Sequence, residues 1–414
     1  MKCRHCSAVL SVPMIDLGAA PPSNAFNATQ NVPELHYPLR VMVCMACGLA
    51  QTDITLFRLD HDELFTKDYP YYSGTSASFV EHARRYVEKI TQLLNLGPDS
   101  LTVEIGCNDG YLLRWVKTPC YGFEPTDTGR VAENIGIRVY RSFFDEYIAK
   151  KASVWSGGKG PTGKADLMIC NNVLAHVPDI NDFVRGFAAM LKDTGIATFE
   201  FPHLLNLIRQ CQFDTIYHEH YSYLSLTAVV NIFKSNGLSV FDVETIPTHG
   251  GSLRVYAQKQ GGPQQVTMNV AQMLLQEHEL SLPTTYRYMQ GRADIIKNEL
   301  LSFLIGMHDL RKTVVGFGAA AKANTLLNYA GIRSDLISYV VDETPSKQGK
   351  FMPGSRIPVL AQFQGVPNYV IVFPWNFRDE IIVKLAYLRA SGTRLVFAMP
   401  RLEILGSLAE QKAA

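Results

Sequence analysis

Leu101-Thr102-Val103-Glu104-Ile105-Gly106-Cys107-Asn108-Asp109-Gly110 is the stretch on which the reading of this chain turns. Its first half is β-branched and apolar, as a strand requires, and its second half places glycines at 106 and 110. Glycine lets the main chain turn sharply and approach a ligand, and the N–H groups at the opening of a following helix attract oxygen-rich groups. The carboxylates of Glu104 and Asp109 can accept hydrogen bonds from ribose hydroxyls or an amino group. Asn108 stands where a G-x-G fingerprint has its second glycine, which argues against a dinucleotide at this turn.

Strand candidates continue downstream at Tyr121 to Phe123, Ile137 to Tyr140, Leu167 to Cys170 and Ile196 to Phe201. Most of the gaps can hold a crossover helix, so a parallel sheet is the economical arrangement. Leu238 to Ile246 and Leu253 to Ala257 follow, with Pro247-Thr248-His249-Gly250-Gly251 between them as a hairpin turn. Upstream, Phe79, Ala83, Tyr86, Val87, Ile90, Leu93 and Leu94 fall at near-helical spacing and stop at Gly97-Pro98, which predicts a leading helix. Gln265 to Met307 reads as a long helical bridge carrying charges such as Glu277, Glu279, Arg292 and Lys297. A second strand–glycine–helix unit begins at Thr313-Val314-Val315-Gly316-Phe317-Gly318, with further strands at Ile337 to Val341, Tyr369 to Phe373 and Leu395 to Phe397. Residues before Asp60 are loop-rich, with Pro13, Pro21, Pro22, Pro33 and Pro38, and too few to hold a core of their own.

At 414 residues the chain exceeds what one core usually supports. The expected class is α/β in three parts: a small zinc-binding unit at 1–62, a Rossmann-like core with its leading helix at 63–259, and the helical bridge plus a second Rossmann-like domain at 260–414. Lys and Arg number 39 against 38 Asp and Glu, a balance that gives no reason to expect nucleic acid or an anionic membrane. No apolar run reaches the roughly 20 residues that span a bilayer, and no secretory stretch leads the chain. A cytoplasmic location is expected.

Two cysteine pairs, Cys3-x-x-Cys6 and Cys44-x-x-Cys47, stand 37 residues apart. That spacing lets two turns present four thiolates to one tetrahedral zinc, which leaves no position for a catalytic water and makes the metal structural. His5 is surplus to the set. Glu124-Pro125, near the end of the next strand, supplies an acid placed for a ribose diol, and Asn171-Asn172 ends the fourth strand. Tyr217-His218-Glu219-His220-Tyr221 concentrates groups that move protons, and His176 lies just past Asn172. An isolated histidine after a strand is more often structural than catalytic; clustering favours the catalytic reading. Gly316-Phe317-Gly318-Ala319-Ala320-Ala321-Lys322 pairs a glycine turn with a cation, a workable diphosphate cradle for which Lys322, Asn324 and Thr325 are candidates. Asp342, Lys350 and Arg378 lie near other strand ends, unranked by sequence.

Taken in order, the paired Cys-x-x-Cys, EIGCNDG, NNVLAHVPD, YHEHYSYLS, THGGSLRVY and GFGAAAKANTLLNY make a chain that resembles the sugar C-methyltransferases of branched-chain deoxysugar synthesis. The resemblance covers nearly the whole length, and YHEHYSYLS with THGGSLR is its most specific pair. It implies a zinc-binding N-terminal domain, a class I centre binding S-adenosylmethionine (SAM), and a C-terminal domain that helps hold a nucleotide sugar linked to dTDP, GDP or CDP. The implied reaction is methylation of a 4-keto deoxysugar at the carbon beside the ketone, C-3, through an enolate. Residue by residue, Tyr217, Glu219 and His220 match the family's Tyr-x-Glu-His, with His220 as general base and Tyr217 or Glu219 contacting the sugar or orienting the base; on spacing alone His218 serves equally. His176 matches a second active-site histidine, and Tyr71 or its neighbour Tyr72 a tyrosine that reaches over the site. SAM contacts are expected from Tyr72, Glu104, Gly106, Asn108, Asp109, Gly110, Glu124, Pro125, Asn171 and Asn172. Substrate contacts are expected from Tyr217, His249, Gly250, Lys322, Asn324, Thr325 and Arg378. A monomer could hold a complete site. Competing readings are an O- or N-methyltransferase, and a nicotinamide-dependent sugar oxidoreductase using Asp342 for the ribose.

Overall fold

The computed structural model describes residues 1–53, 64–65, 72–154 and 163–407 and contains three sheets. In the first, β1 (Val12–Ala20), β2 (Tyr37–Val43) and β3 (Ala50–Thr52) pair antiparallel, and β9 (Ser222–Tyr223) arrives from mid-chain to complete the edge. The sequence reading expected loop-rich chain here. β1 carries Pro13 and two register shifts, both tolerated because it is an edge strand with one side free of the ladder.

The second sheet follows from the run of apolar strands after the leading helix. β4 (Thr102–Ile105), β5 (Cys120–Phe123), β6 (Val139–Tyr140), β7 (Ala165–Asn171) and β8 (Leu191–Pro202) are parallel, and β10 (Leu238–Ile246) with β11 (Ser252–Lys259) closes the edge antiparallel. Its order is β10-β11-β8-β7-β4-β5-β6. Strands buried on both faces must be apolar throughout, and β4 is buried at all four positions. The chain starts in the middle at β4, runs outward to β6, then returns to β7, so the crevice between β4 and β7 is a switch point where ligands bind. The leading helix, Ala77–Leu93, packs Phe79, Ala83, Tyr86, Val87 and Ile90 against this sheet, while Leu93 faces solvent.

The third sheet holds β12 (Val314–Phe317), β13 (Val340–Val341), β14 (Val359–Leu360), β15 (Tyr369–Val372), β16 (Arg394–Phe397) and β17 (Glu403–Leu405), in the order β14-β13-β12-β15-β16-β17. All its pairs are parallel except β16 with β17. Its switch point lies between β12 and β15. The expected single bridge is broken into a helix Met268–Gln276, a 3-10 turn Glu277–Ser281 and a helix Pro283–Asp309. Pro283 cannot donate to a preceding turn and so starts a new helix. Glu277 turns inward, where it accepts from His203 Nε2 at 2.7 Å and from the Leu226 and Thr227 N–H groups at 2.6 and 2.7 Å. No helix among the described residues is long and apolar enough to cross a membrane.

Candidate active site

Four thiols meet at the N-terminal end. Tight turns carry each pair, closed by Ser7 N–H to Cys3 O (3.0 Å) and Gly48 N–H to Cys44 O (2.8 Å). The four sulfurs lie within 4.8 Å of one another, with Cys3 to Cys47 at 3.6 Å and Cys6 to Cys44 at 3.5 Å. Tetrahedral Zn–S bonds of about 2.3 Å place sulfurs about 3.8 Å apart, so the set fits one zinc and fills its coordination. His5 turns away, its Nδ1 2.7 Å from Asn181 Oδ1.

One cavity of about 500 Å³ lies where the switch points of the second and third sheets face each other. Its first wall is the loop after β4 with the ends of β5 and β7. Gly106 has φ +71°, and a Cβ there would stand 2.4 Å from Val173 Cγ2, so only glycine fits. Glu124 accepts from the N–H of Asn108 (3.0 Å) and from the N–H (2.9 Å) and hydroxyl (2.6 Å) of Thr126. Burial raises its carboxyl pKa, against the opposing pull of these bonds. Asn171 Oδ1 and both polar side-chain atoms of Asn172 are buried without a protein partner. Orphaned amide atoms and a carboxylate on one cavity wall fit a nucleoside ligand with an amino acid tail, as SAM has.

Other members of this loop engage the protein instead. Asn108 Oδ1 and Asp109 Oδ2 accept the N–H groups of Ser73 and Gly74, each at 2.9 Å, which clamps the segment ahead of the leading helix. Asn108 lines the cavity and Asp109 does not. Gly110 packs on Ile137, whose Cδ1 lies 2.6 Å from where a Cβ would sit. Glu104 is sealed behind the wall with neither oxygen hydrogen-bonded, and burial pushes its carboxyl well above the ordinary range. Tyr72 is half-buried off the cavity, with its carbonyl accepting from the Thr75 hydroxyl at 2.7 Å. Tyr71 lies outside the described residues. The helix expected after Gly110 is only a 3-10 turn, Leu113–Trp115, because Pro119 and β5 follow at once.

The second wall carries imidazoles. His220 Nδ1 lies 2.8 Å from the Thr215 carbonyl. A carbonyl only accepts, so Nδ1 carries the proton and the neutral ring keeps its lone pair on Nε2. Burial, then the neighbouring His176, holds His220 well below the usual histidine pKa. Tyr217 stacks on it with ring centroids 3.9 Å apart, and His176 stands 4.6 Å away, its own Nδ1 2.8 Å from Glu219 O. His249, at φ +54°, joins the wall against Phe79, and burial lowers its pKa to about 4. His218 sits off the cavity, with Nε2 3.1 Å from Tyr37 O. Glu219 also misses the cavity: its Oε1 accepts the N–H (3.1 Å) and Nδ2 (3.0 Å) of Asn24, and Asn24 itself lines the wall.

The third wall is the turn after β12. Gly318 has φ +87°, and a Cβ there would meet Pro374 Cγ at 2.3 Å. The helix Ala321–Ala330 opens without a side-chain cap, and Ala320, Ala321 and Lys322 at its start line the cavity. Lys322 Nζ donates to Asn376 Oδ1 at 3.0 Å and sits 4.4 Å over the Trp375 ring. Lys347 Nζ donates to Ala319 O at 3.0 Å and lies 3.7 Å from Asp342 Oδ2. Both ammonium groups are buried, which lowers their pKa values. Two desolvated cations beside a helix N-terminus could hold an anion.

Comparison with known proteins agrees with this arrangement. Residues 3–65 match a zinc binding domain family, 79–243 a methyltransferase domain, and 247–400 the C-methyltransferase C-terminal domain. The sequence is 30% identical to C-methyltransferase NovU of Streptomyces niveus, over 98% of this chain and 97% of that one. The chain belongs to the C-methyltransferases. It is a SAM-dependent enzyme with a zinc-binding N-terminal part. Among solved structures, magnesium protoporphyrin IX methyltransferase from Synechocystis PCC 6803 with bound SAM is 16% identical, covering 49% of this chain and 98% of its own, at a TM-score of 0.34. A SAM-dependent methyltransferase from Clostridium acetobutylicum ATCC 824 is 10% identical, covering 44% and 92%, also at 0.34.

In this C-methyltransferase several expected substrate residues serve as joints. Asn324 Nδ2 donates to Ser23 O at 2.5 Å and Thr325 Oγ1 to Ile216 O at 2.8 Å, tying the C-terminal helix to the N-terminal part and to the Tyr217 segment. Gly250 lies where a Cβ would meet Trp375 Cη2 at 2.6 Å. Arg378 pairs with Glu403 at 2.6 Å and covers Phe397, away from the main cavity. Asp342 accepts the Ala319 and Thr344 N–H groups at 2.7 and 2.8 Å and does not reach the cavity, which removes the support for a nicotinamide ribose there. The sequence reading missed Lys347 and Asn24. Neither sits in a motif, and only the cavity brings them to the site.

Proposed function

We propose that this enzyme methylates a nucleotide-linked 4-keto deoxysugar at the carbon beside the ketone, C-3, with His220 as the base. The observation that carries this reading is the single cavity that joins the Glu124 and Asn171–Asn172 wall to the Lys322 and Lys347 wall, with His220 between them. Glu124, Gly106, Asn108, Pro125, Asn171 and Asn172 would hold SAM, which supplies an electrophilic methyl and leaves as a neutral thioether. Lys322, Lys347 and the open helix N-terminus would take the diphosphate of a dTDP, GDP or CDP sugar. A C–H beside a ketone is acidified because its charge spreads to oxygen. His220, neutral with its Nε2 lone pair free to accept, removes that proton, and the enolate carbon becomes the nucleophile. Tyr217, stacked on the base, lies where a phenol could donate to the developing oxyanion. The apolar and aromatic wall around Phe79, Phe123 and Phe65 limits water that would reprotonate the carbanion. Reduced thiols suited to zinc fit a cytosolic enzyme.

The reading divides labour among 1–62 for zinc, 63–259 for SAM and the base, and 260–414 for the nucleotide. Incubating the protein with SAM and a panel of nucleotide 4-keto-6-deoxysugars, with mass spectrometry and NMR of products, tests it. A methyl on carbon is expected; a methyl on oxygen or nitrogen, or no product from any keto sugar, overturns the substrate class.

A further inference from the structure

We infer that Arg4, carried inside the first zinc knuckle, sets the spacing of His176 and His220 and is a positioning residue for methyl transfer. The two histidines sit on separate loops, one after β7 and one before β9. On the cavity side the loops meet through His176 Nδ1 and the Glu219 carbonyl, 2.8 Å apart. Arg4 joins the same two loops a second time. Its Nη1 donates to Val177 O (3.2 Å) and Pro178 O (2.8 Å), immediately past His176. Its Nη2 donates to Tyr221 O and to Ser222 Oγ (2.9 Å), immediately past His220.

The knuckle fixes this guanidinium in turn. Arg4 lies between Cys3 and Cys6, and its N–H donates to Gln51 Oε1 at 3.0 Å, while Gln51 Nε2 reaches Cys3 Sγ at 3.3 Å. Asn181 Nδ2 donates to the His5 carbonyl at 3.0 Å and holds the knuckle to the helix after His176. A planar fork with donors on both edges can bridge two carbonyl-bearing loops at a set distance; a lysine ammonium is a single point and cannot. The zinc turn therefore grips both histidine-bearing loops with one side chain, without touching any reacting atom. The inference rests on His220 and His176 as the working histidines of the cavity.

Arg4→Ala and Arg4→Lys, each checked for bound zinc and for SAM affinity, test it by two readouts. Amide exchange read by mass spectrometry should rise about tenfold in peptides over 174–180 and 217–223, and stay at the parent level over 252–258, in both variants. With substrate, kcat should fall ~100-fold while SAM affinity holds, since misplacing a catalytic group by about 1 Å costs that much. Added methylguanidinium should restore part of the Arg4→Ala rate, and methylammonium should not. Parental exchange and kcat in Arg4→Lys would overturn the inference even where Arg4→Ala fails to fold. So would equal loss of SAM affinity and kcat, which marks a merely structural role. If the parent methylates no keto sugar, the substrate reading fails, and the exchange pattern alone still decides for or against the Arg4 clamp.

Discussion

The imidazoles of His176 and His220 stand 4.6 Å apart between ring centroids, and each places its Nδ1 2.8 Å from a main-chain carbonyl. Two rings this close cannot both take a proton cheaply, and His220 is buried besides. Its pKa is displaced below the ordinary 6.5, so the base remains unprotonated to lower pH than a free histidine would.

The pH profile follows from that sign. With kcat/KM measured across the acid range, the rate should stay level from neutral pH down through 6.5 and fall only below it. His176→Gln removes the nearby charge and should move the acid limb upward. A limb at or above 6.5 in the parent contradicts the assignment.

Glu219 gives a second test, because it faces Asn24 and not the cavity. Glu219→Gln keeps an oxygen where both Asn24 donors bind, and should retain kcat within about threefold. Glu219→Ala and Asn24→Ala lose the contact and should fall about tenfold or more, the scale of a hydrogen bond to a charged group. A Gln variant as poor as Ala shows that the carboxylate itself takes part.

The two buried lysines separate from Arg378. Lys322→Met and Lys347→Met should each raise the KM for the nucleotide sugar roughly 10- to 100-fold, as expected for a lost charged hydrogen bond. Arg378→Ala should bind sugar like the parent, because its guanidinium is engaged with Glu403 and Phe397. Steady-state kinetics on the three variants decides this.

Zinc removal should act on stability first. One zinc per chain is expected by metal analysis, and Cys44→Ser or a strong chelator should lower the melting temperature, since ligation energy in such sites is folding energy. Unchanged melting after complete metal loss would contradict a structural role.

Much of the second sheet was legible because its strands are apolar runs set off by turn residues; β10 falls at Leu238–Ile246, the bounds that the pattern predicts. The Cys-x-x-Cys pairs and the cluster at Tyr217 to Tyr221 were legible as candidates because their residues lie close together in sequence. β1 was not, since Pro13 argues against a strand unless the strand is known to be an edge. Glu277 read as one of several charges on a helical bridge; its burial depends on His203 and the Leu226 helix, which sequence distance hides. Asn108 and Asp109 read as ligand groups, whereas part of their hydrogen bonding goes to Ser73 and Gly74. Lys347 and Asn24 lie in no motif, Arg4 is an unspecified position within Cys-x-x-Cys, and Asn24 and the Arg4 guanidinium find their partners more than 170 residues away. Such residues are found only when the tertiary structure closes.

The most direct test of the central claim is proton exchange at the sugar carbon beside the ketone, followed by NMR in D₂O. S-adenosylhomocysteine would replace SAM, so that the enolate, with no methyl to attack, takes a deuteron back from solvent. Parent enzyme should place deuterium at that carbon and His220→Ala should not, while still binding the same ligands. Exchange that persists in His220→Ala, or that never occurs in a parent able to methylate the sugar, would contradict His220 as the base.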